Sequence, residues 1–198
     1  MTADQTRRGR GRRPAAEVRN EILEAAAELL FSEGMGAFNI EKVANRSGAS
    51  KMTIYKWWPS KGALALDSYF HKVSPDLAFA DTGDIEADLR SQLHTFLRVI
   101  CGSPAGRVIA ELIGQAQSDP LLKARFLQRY SSPRRALAVA AMEKAKERGQ
   151  LSQTVDPETV VDQLWGACYN RLLVPDQPLT VEFVDALVHN MFHSIAGQ

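Results

Sequence analysis

What the chain lacks narrows its class first. Its 198 residues hold two cysteines, Cys101 and Cys168, too few for a disulfide framework and in keeping with a reducing cytoplasm. Both are read as small buried apolar side chains. No stretch reaches the roughly 20 apolar residues that a membrane span needs. The N-terminus is basic, but the apolar run of a signal peptide does not follow it. A soluble, cytoplasmic protein without a membrane partner is expected. Alternating strand patterns, Gly-rich phosphate loops, Walker sequences and G-x-S-x-G elbows are absent too. One pair resembles a metal site: His189 and His193, spaced i, i+4 on a helical segment. The run between them is H-N-M-F-H, without the glutamate of a zinc-hydrolase helix, and no third ligand suggests itself. A packed or interface histidine pair is the reading, with no enzyme activity, metal or cofactor expected.

Charge is present but unevenly placed. The net value of +1 divides into +4 for residues 1–61, from eleven Lys/Arg and seven Asp/Glu, and −3 for residues 62–198. A basic N-terminal third on an acidic remainder suits a DNA-reading module joined to a second function. Residues 1–13 carry five arginines and two glycines. Such a segment builds no core and is read as a disordered basic arm along phosphates or in a minor groove.

The stretch 39–61, NIEKVANRSGASKMTIYKWWPSK, organises the rest. Ile40, Val43 and Ala44 make one apolar side of a short helix. Ser47-Gly48-Ala49 turns the chain, and Ser50 can cap a second helix by accepting from a backbone N–H near Thr53. That second helix turns Ile54 and Trp58 inward and leaves Lys51, Met52, Thr53, Tyr55, Lys56 and Trp57 outside. Two helices about a glycine turn, with a basic and aromatic outer face, form the helix-turn-helix pattern. The stretch holds five basic residues and one acid. Lys51, Lys56 and Met52 are placed to reach base edges, and Thr53, Tyr55 and Trp57 to reach phosphate or sugar.

The sequence A-N-R-S-G-A-S-K-M-T-I-Y-K-W-W-P-S-K resembles the DNA-binding domain of TetR-type transcriptional regulators, closely over about 18–66. The resemblance implies backbone contacts from Thr53 and Tyr55 and a phosphate-binding role for Lys61. Trp57 departs from the smaller polar or basic residue common at its position. The expected DNA contacts are thus Arg10, Arg12, Arg13, Asn39, Ser50, Lys51, Met52, Thr53, Tyr55, Lys56, Trp57 and Lys61. The partner the resemblance implies is double-stranded DNA carrying an inverted-repeat operator. Before this module, Val18, Ile22, Ala25, Ala26, Leu29 and Leu30 recur at helical spacing up to a stop at Gly34.

Beyond Lys61 every periodic segment is helical. A helix over about 61–73 ends near Ser74-Pro75, and a polar linker runs to Asp84. Ile85, Leu89, Leu93, Phe96, Leu97 and Ile100 mark the next helix. Ser103-Pro104, Asp119-Pro120 and Asp156-Pro157 each pair a capping residue with proline at the first helical position. Pro133 kinks or breaks the segment 120–148. The architecture expected is all-α, about nine helices. A three-helix helix-turn-helix domain (14–60) follows the arm, and a larger helical effector-binding and dimerisation domain (61–198) follows that.

The last two helices, about 157–173 and 180–195, have apolar faces wider than the roughly 100° stripe one core requires. Val161, Trp165, Val184, Leu187, Val188, Met191 and Phe192 are therefore assigned to a two-fold, four-helix homodimer interface. The segment 149–173, with G-Q-L, D-P-E and G-A-C-Y-N-R-L-L, looks like an AcrR-like branch of the family. The resemblance implies a small hydrophobic or amphipathic effector that releases DNA from a repressor by shifting a conformational population. Phe96, Met142, Trp165 and Tyr169 are the candidate wall of its pocket. A helical protein–protein adaptor is the competing function, but it leaves S-K-M-T-I-Y-K-W-W-P-S-K unexplained.

Overall fold

The computed structural model describes residues 13–73 and 79–193, and everything described is helix, turn or connecting coil. The arm positions Arg10 and Arg12, the Ser74-Pro75 step and Ile195 lie outside the described residues. Helices α1 (Ala15–Ala37), α2 (Ile40–Ser47) and α3 (Lys51–Trp57) form the N-terminal unit, and α4 (Lys61–Val73) leads out of it. α5 (Ile85–Cys101), α6 (Ala105–Ala116), α7 (Pro120–Phe126), α8 (Ser132–Glu147), α9 (Pro157–Leu173) and α10 (Val181–Phe192) complete the chain. A π-helical turn, Leu127–Ser131, joins α7 to α8 without a break, so the described residues make nine rods, with α1 kinked at Gly34.

Side-chain caps start most of these helices. Asn39, Ser50, Asp84, Asp119, Asp156 and Thr180 each accept from a backbone N–H of the first turn, satisfying donors that a helix start otherwise leaves open. Asp119-Pro120 and Asp156-Pro157 place proline in the first turn as expected. Ser103-Pro104 does not: α6 begins one residue later, and Ser103 Oγ accepts from Ala105 N at 3.2 Å.

The two expected interruptions come out differently. Gly34 breaks the regular helix of α1 at the stop the sequence implied. It adopts φ 77° and ψ 174°, and helical geometry resumes to Ala37. Only glycine holds that conformation without strain. Pro133 neither breaks nor sharply stops its helix. Its missing N–H leaves a gap in the i to i−4 ladder, and the chain widens into the preceding π turn before α8 continues.

One apolar core runs through the molecule. Ile22, Leu30, Phe38, Val43, Ile54 and Trp58 fill the N-terminal unit, and α4 is buried over Gly62–Tyr69 between α1 and α6. α10 packs on α5, and α8 on α9. Cys168 is buried as expected, but Cys101 is exposed at the end of α5, 3.7 Å from the Leu179 carbonyl. No described helix is long and apolar enough to cross a membrane.

Candidate nucleic-acid interface and cavity

The outer face of α3 is built from the turn upward. Gly48 takes φ 69°, ending α2 in the left-handed conformation, and Ser50 Oγ accepts from Thr53 N at 3.1 Å to start α3. The Thr53 hydroxyl lies 2.9 Å from Ser50 Oγ. Ile54 and Trp58 are wholly buried beneath, so the remaining side chains must point out. Met52 is 81% exposed and Tyr55 51% exposed, a large apolar and aromatic surface beside Lys51 and Lys56. Lys51 Nζ lies 3.3 Å from Glu41, an exposed pair that yields readily to a phosphate. Lys56 has no ion pair among the described residues. Trp57 is half-buried, edge-on to Trp58 at 5.8 Å, so its ring is partly committed to the core. Asn39 caps α2, accepting from Lys42 N at 2.9 Å. Lys61 Nζ sits 3.4 Å from the Met35 carbonyl, and Arg13 pairs with Glu21 at 2.6 Å.

Two clasps tie this unit to the rest. Glu111 of α6 accepts from Met35 N at 2.6 Å, and Arg107 donates to the Phe31 carbonyl at 3.2 Å. The second clasp centres on Asp67 of α4, whose carboxylate is 4% exposed. It accepts from Trp58 Nε1 at 2.9 Å and from Arg125 of α7 at 2.7 and 3.2 Å. Arg19 stands 3.6 Å away. Sequence reading missed this clasp because its partners are up to 58 residues apart.

A cavity of about 230 Å³ opens between α5, the π turn, α8 and α9. Phe96, Trp165 and Tyr169 line it, together with Tyr130, Arg134 and Asp162. Met142 does not: it is wholly buried and faces a separate apolar cavity of about 280 Å³ that Met191 and Phe192 also line. Tyr130 and Tyr169 hydroxyls meet at 3.2 Å, and burial pushes the Tyr169 phenol well above its usual value. Tyr130 stacks on Phe70 of α4 at 4.4 Å, and the Arg134 guanidinium carbon lies 4.1 Å from the Tyr130 centroid. Tyr130 and Arg134 were not anticipated. Their sequence neighbourhood carried no signal for this: adjacent helical positions lie about 100° apart, so Arg134 and Arg135 are equally compatible with a solvated face.

The assigned interface residues separate into two groups. Val184 and Val188 are wholly buried in their own protomer, and Val161 is nearly so; these three have no surface to give a partner. α5 takes up that part of the α10 stripe, which periodicity alone does not reveal. Trp165, Leu187, Met191 and Phe192 are half-buried. Leu173, Val174 and Val181 at the α9–α10 turn are exposed. The rings of His189 and His193 lie 4.6 Å apart, and His193 is 3.3 Å from Glu86.

A helix-turn-helix with an exposed basic second helix, joined to a cavity-bearing helical unit, defines a DNA-binding regulator. Residues 22–67 match the family "Bacterial regulatory proteins, tetR family", and residues 79–191 match "Tetracyclin repressor-like, C-terminal domain". The HTH-type transcriptional regulator YdeS of Bacillus subtilis is 35% identical over 191 residues, covering 96% of this chain and 95% of its own. The crystal structure of the TetR family transcription regulator SCO0332 superposes with TM-score 0.81 at 52% identity, covering 91% of this chain and all of that one. The transcriptional regulator FadR of Bacillus subtilis, crystallised with stearoyl-CoA, shares the fold at TM-score 0.71 and 14% identity, covering 89% of this chain and 99% of its own. The chain belongs to the TetR family of helix-turn-helix transcriptional regulators, a family of DNA-binding regulators and not of enzymes.

Proposed function

We propose that this regulator is a cytoplasmic repressor that binds an inverted-repeat operator as a homodimer and is released by a small molecule held in the 230 Å³ cavity. The observation that carries the DNA reading is the exposed Met52–Tyr55 surface between Lys51 and Lys56. Apolar and aromatic area on that scale, flanked by lysines, needs a partner, and a major groove offers thymine methyls, base edges and phosphates together. Residues 14–60 form the reading domain and 61–198 the effector and dimer domain. The half-buried Trp165, Leu187, Met191 and Phe192, with the exposed Leu173, Val174 and Val181, are the face offered to a second protomer. A two-fold dimer presents two α3 helices to half-sites about 34 Å apart.

The route from cavity to DNA is short. Tyr130 is a cavity wall and stacks on Phe70 of α4, and α4 carries Asp67, which holds Trp58 at the end of α3. A ligand that prefers one Tyr130 position biases the α4 position, and with it the spacing of the reading helices.

Selection of bound sequences from random duplex DNA at fixed salt tests the reading. An enriched inverted repeat is expected, and Lys51→Ala with Tyr55→Ala abolishes binding. Weak, salt-sensitive binding without enrichment refutes it.

A further inference from the structure

Arg134 and Arg135 are neighbours on α8, and their surroundings are opposite. Arg135 donates to Asp162 at 2.6 Å and also pairs with Glu158, which raises its pKa. Arg134 has neither a carboxylate nor a hydrogen-bond partner among the described residues. It is half-buried on the Tyr130 ring, with the paired Tyr130 and Tyr169 hydroxyls nearby. Burial holds it below its usual pKa while the surrounding tyrosines act the other way. Among the described residues the one acid on the cavity wall, Asp162, is already neutralised by Arg135. The cavity therefore carries, among the described residues, one uncompensated positive charge in an aromatic enclosure.

Burying a guanidinium without a counter-charge costs stability, and an incoming anion is what offsets it. The guanidinium fork matches a carboxylate through two parallel hydrogen bonds. Phe96, Trp165 and Tyr169 supply flat apolar walls for a ring. Size limits the remainder: a cavity of about 150 Å³ takes benzene, so about 230 Å³ takes one or two fused rings with a short polar group.

We infer that the cavity binds a small aromatic carboxylate, with Arg134 taking the anion and the Phe96–Trp165–Tyr169 wall taking the ring. This rests on the cavity being the effector site. 2-Naphthoate and its uncharged counterpart 2-naphthamide are the probes, titrated calorimetrically into the full chain and into Arg134→Gln. The acid is expected to bind wild type about ten to a hundred times more tightly than the amide, and Arg134→Gln to abolish that preference. Because the arginine is desolvated without a counter-charge, Arg134→Gln without ligand is expected to melt no lower than wild type. Equal binding of acid and amide, or a preference retained in Arg134→Gln, overturns the anion assignment and leaves a neutral-ligand cavity standing. No binding of either at millimolar concentration overturns both. Operator release is measured separately. Acid binding through Arg134 without release keeps the anion site and removes the effector reading.

Discussion

Replacing Asp67 by asparagine tests the clasp between the reading unit and the effector unit. Asparagine keeps one oxygen for Trp58 Nε1, now at 2.9 Å, so the indole remains satisfied. What disappears is the charge that faces Arg125 at 2.7 and 3.2 Å. Breaking a buried ion pair by removing one partner costs about 3–5 kcal/mol. Arg125 is 30% exposed and can partly rehydrate while Asp67 is 4% exposed, which places the cost at about 2–3 kcal/mol. A chain of this size loses about 2–4 °C of Tm per kcal/mol, so the expected fall is about 4–12 °C. The assay is thermal unfolding followed by circular dichroism. Adding Arg125→Met is expected to recover part of the loss, because it removes the orphaned cation. A Tm unchanged in Asp67→Asn, or losses that simply add in the double variant, refute the clasp as an energetic link.

Three further outcomes follow from the same geometry. Lys56→Ala should relax preference at one or two operator positions by about 1–3 kcal/mol; a uniform loss across sequences, read by binding to a library of operator variants, would make Lys56 a phosphate contact instead. Gly34→Ala should lower stability by about 1–3 kcal/mol in a denaturant titration, because φ 77° strains any side chain and a Cβ there would stand 3.3 Å from Glu111. Hydrogen bonds from Arg148 and then Lys144 hold the Asp81 carboxyl down at about 2, below its ordinary 3.8. A depressed folded-state pKa gives stability that is present above 3.8 and lost as pH falls through 2. The stability difference between wild type and Asp81→Asn should therefore be constant above about pH 5 and shrink toward pH 2; a difference that does not vary there removes the pair from the account.

The helical layout was legible because it is written in local chemistry. Ser50, Asp119 and Asp156 cap their helices from the sequence positions expected, and Ile54 and Trp58 turn inward as their spacing requires. Where the outcome depended on a distant neighbour, the sequence was silent. The width of the α10 apolar stripe was visible, but not that α5 would bury Val184 and Val188 within the same protomer. Met142, apolar and mid-helix, was placed on the cavity wall; it is wholly buried and faces a different cavity.

The π turn connects these observations. It is where Pro133 removes a backbone donor, and π turns in helices are frequent at functional positions. Here it carries Tyr130 into the cavity and onto Phe70, and α7, which precedes it, carries Arg125 onto Asp67. Both of these contacts with α4 lie within two residues of the irregular turn. A regular α-helix resists local deformation, because each residue is held by bonds to both sides. A turn already relieved of one such bond is the cheapest place for a ligand to move the rod. The same proline that made the helix unreadable from periodicity puts the cavity and the reading helix on one mechanical element.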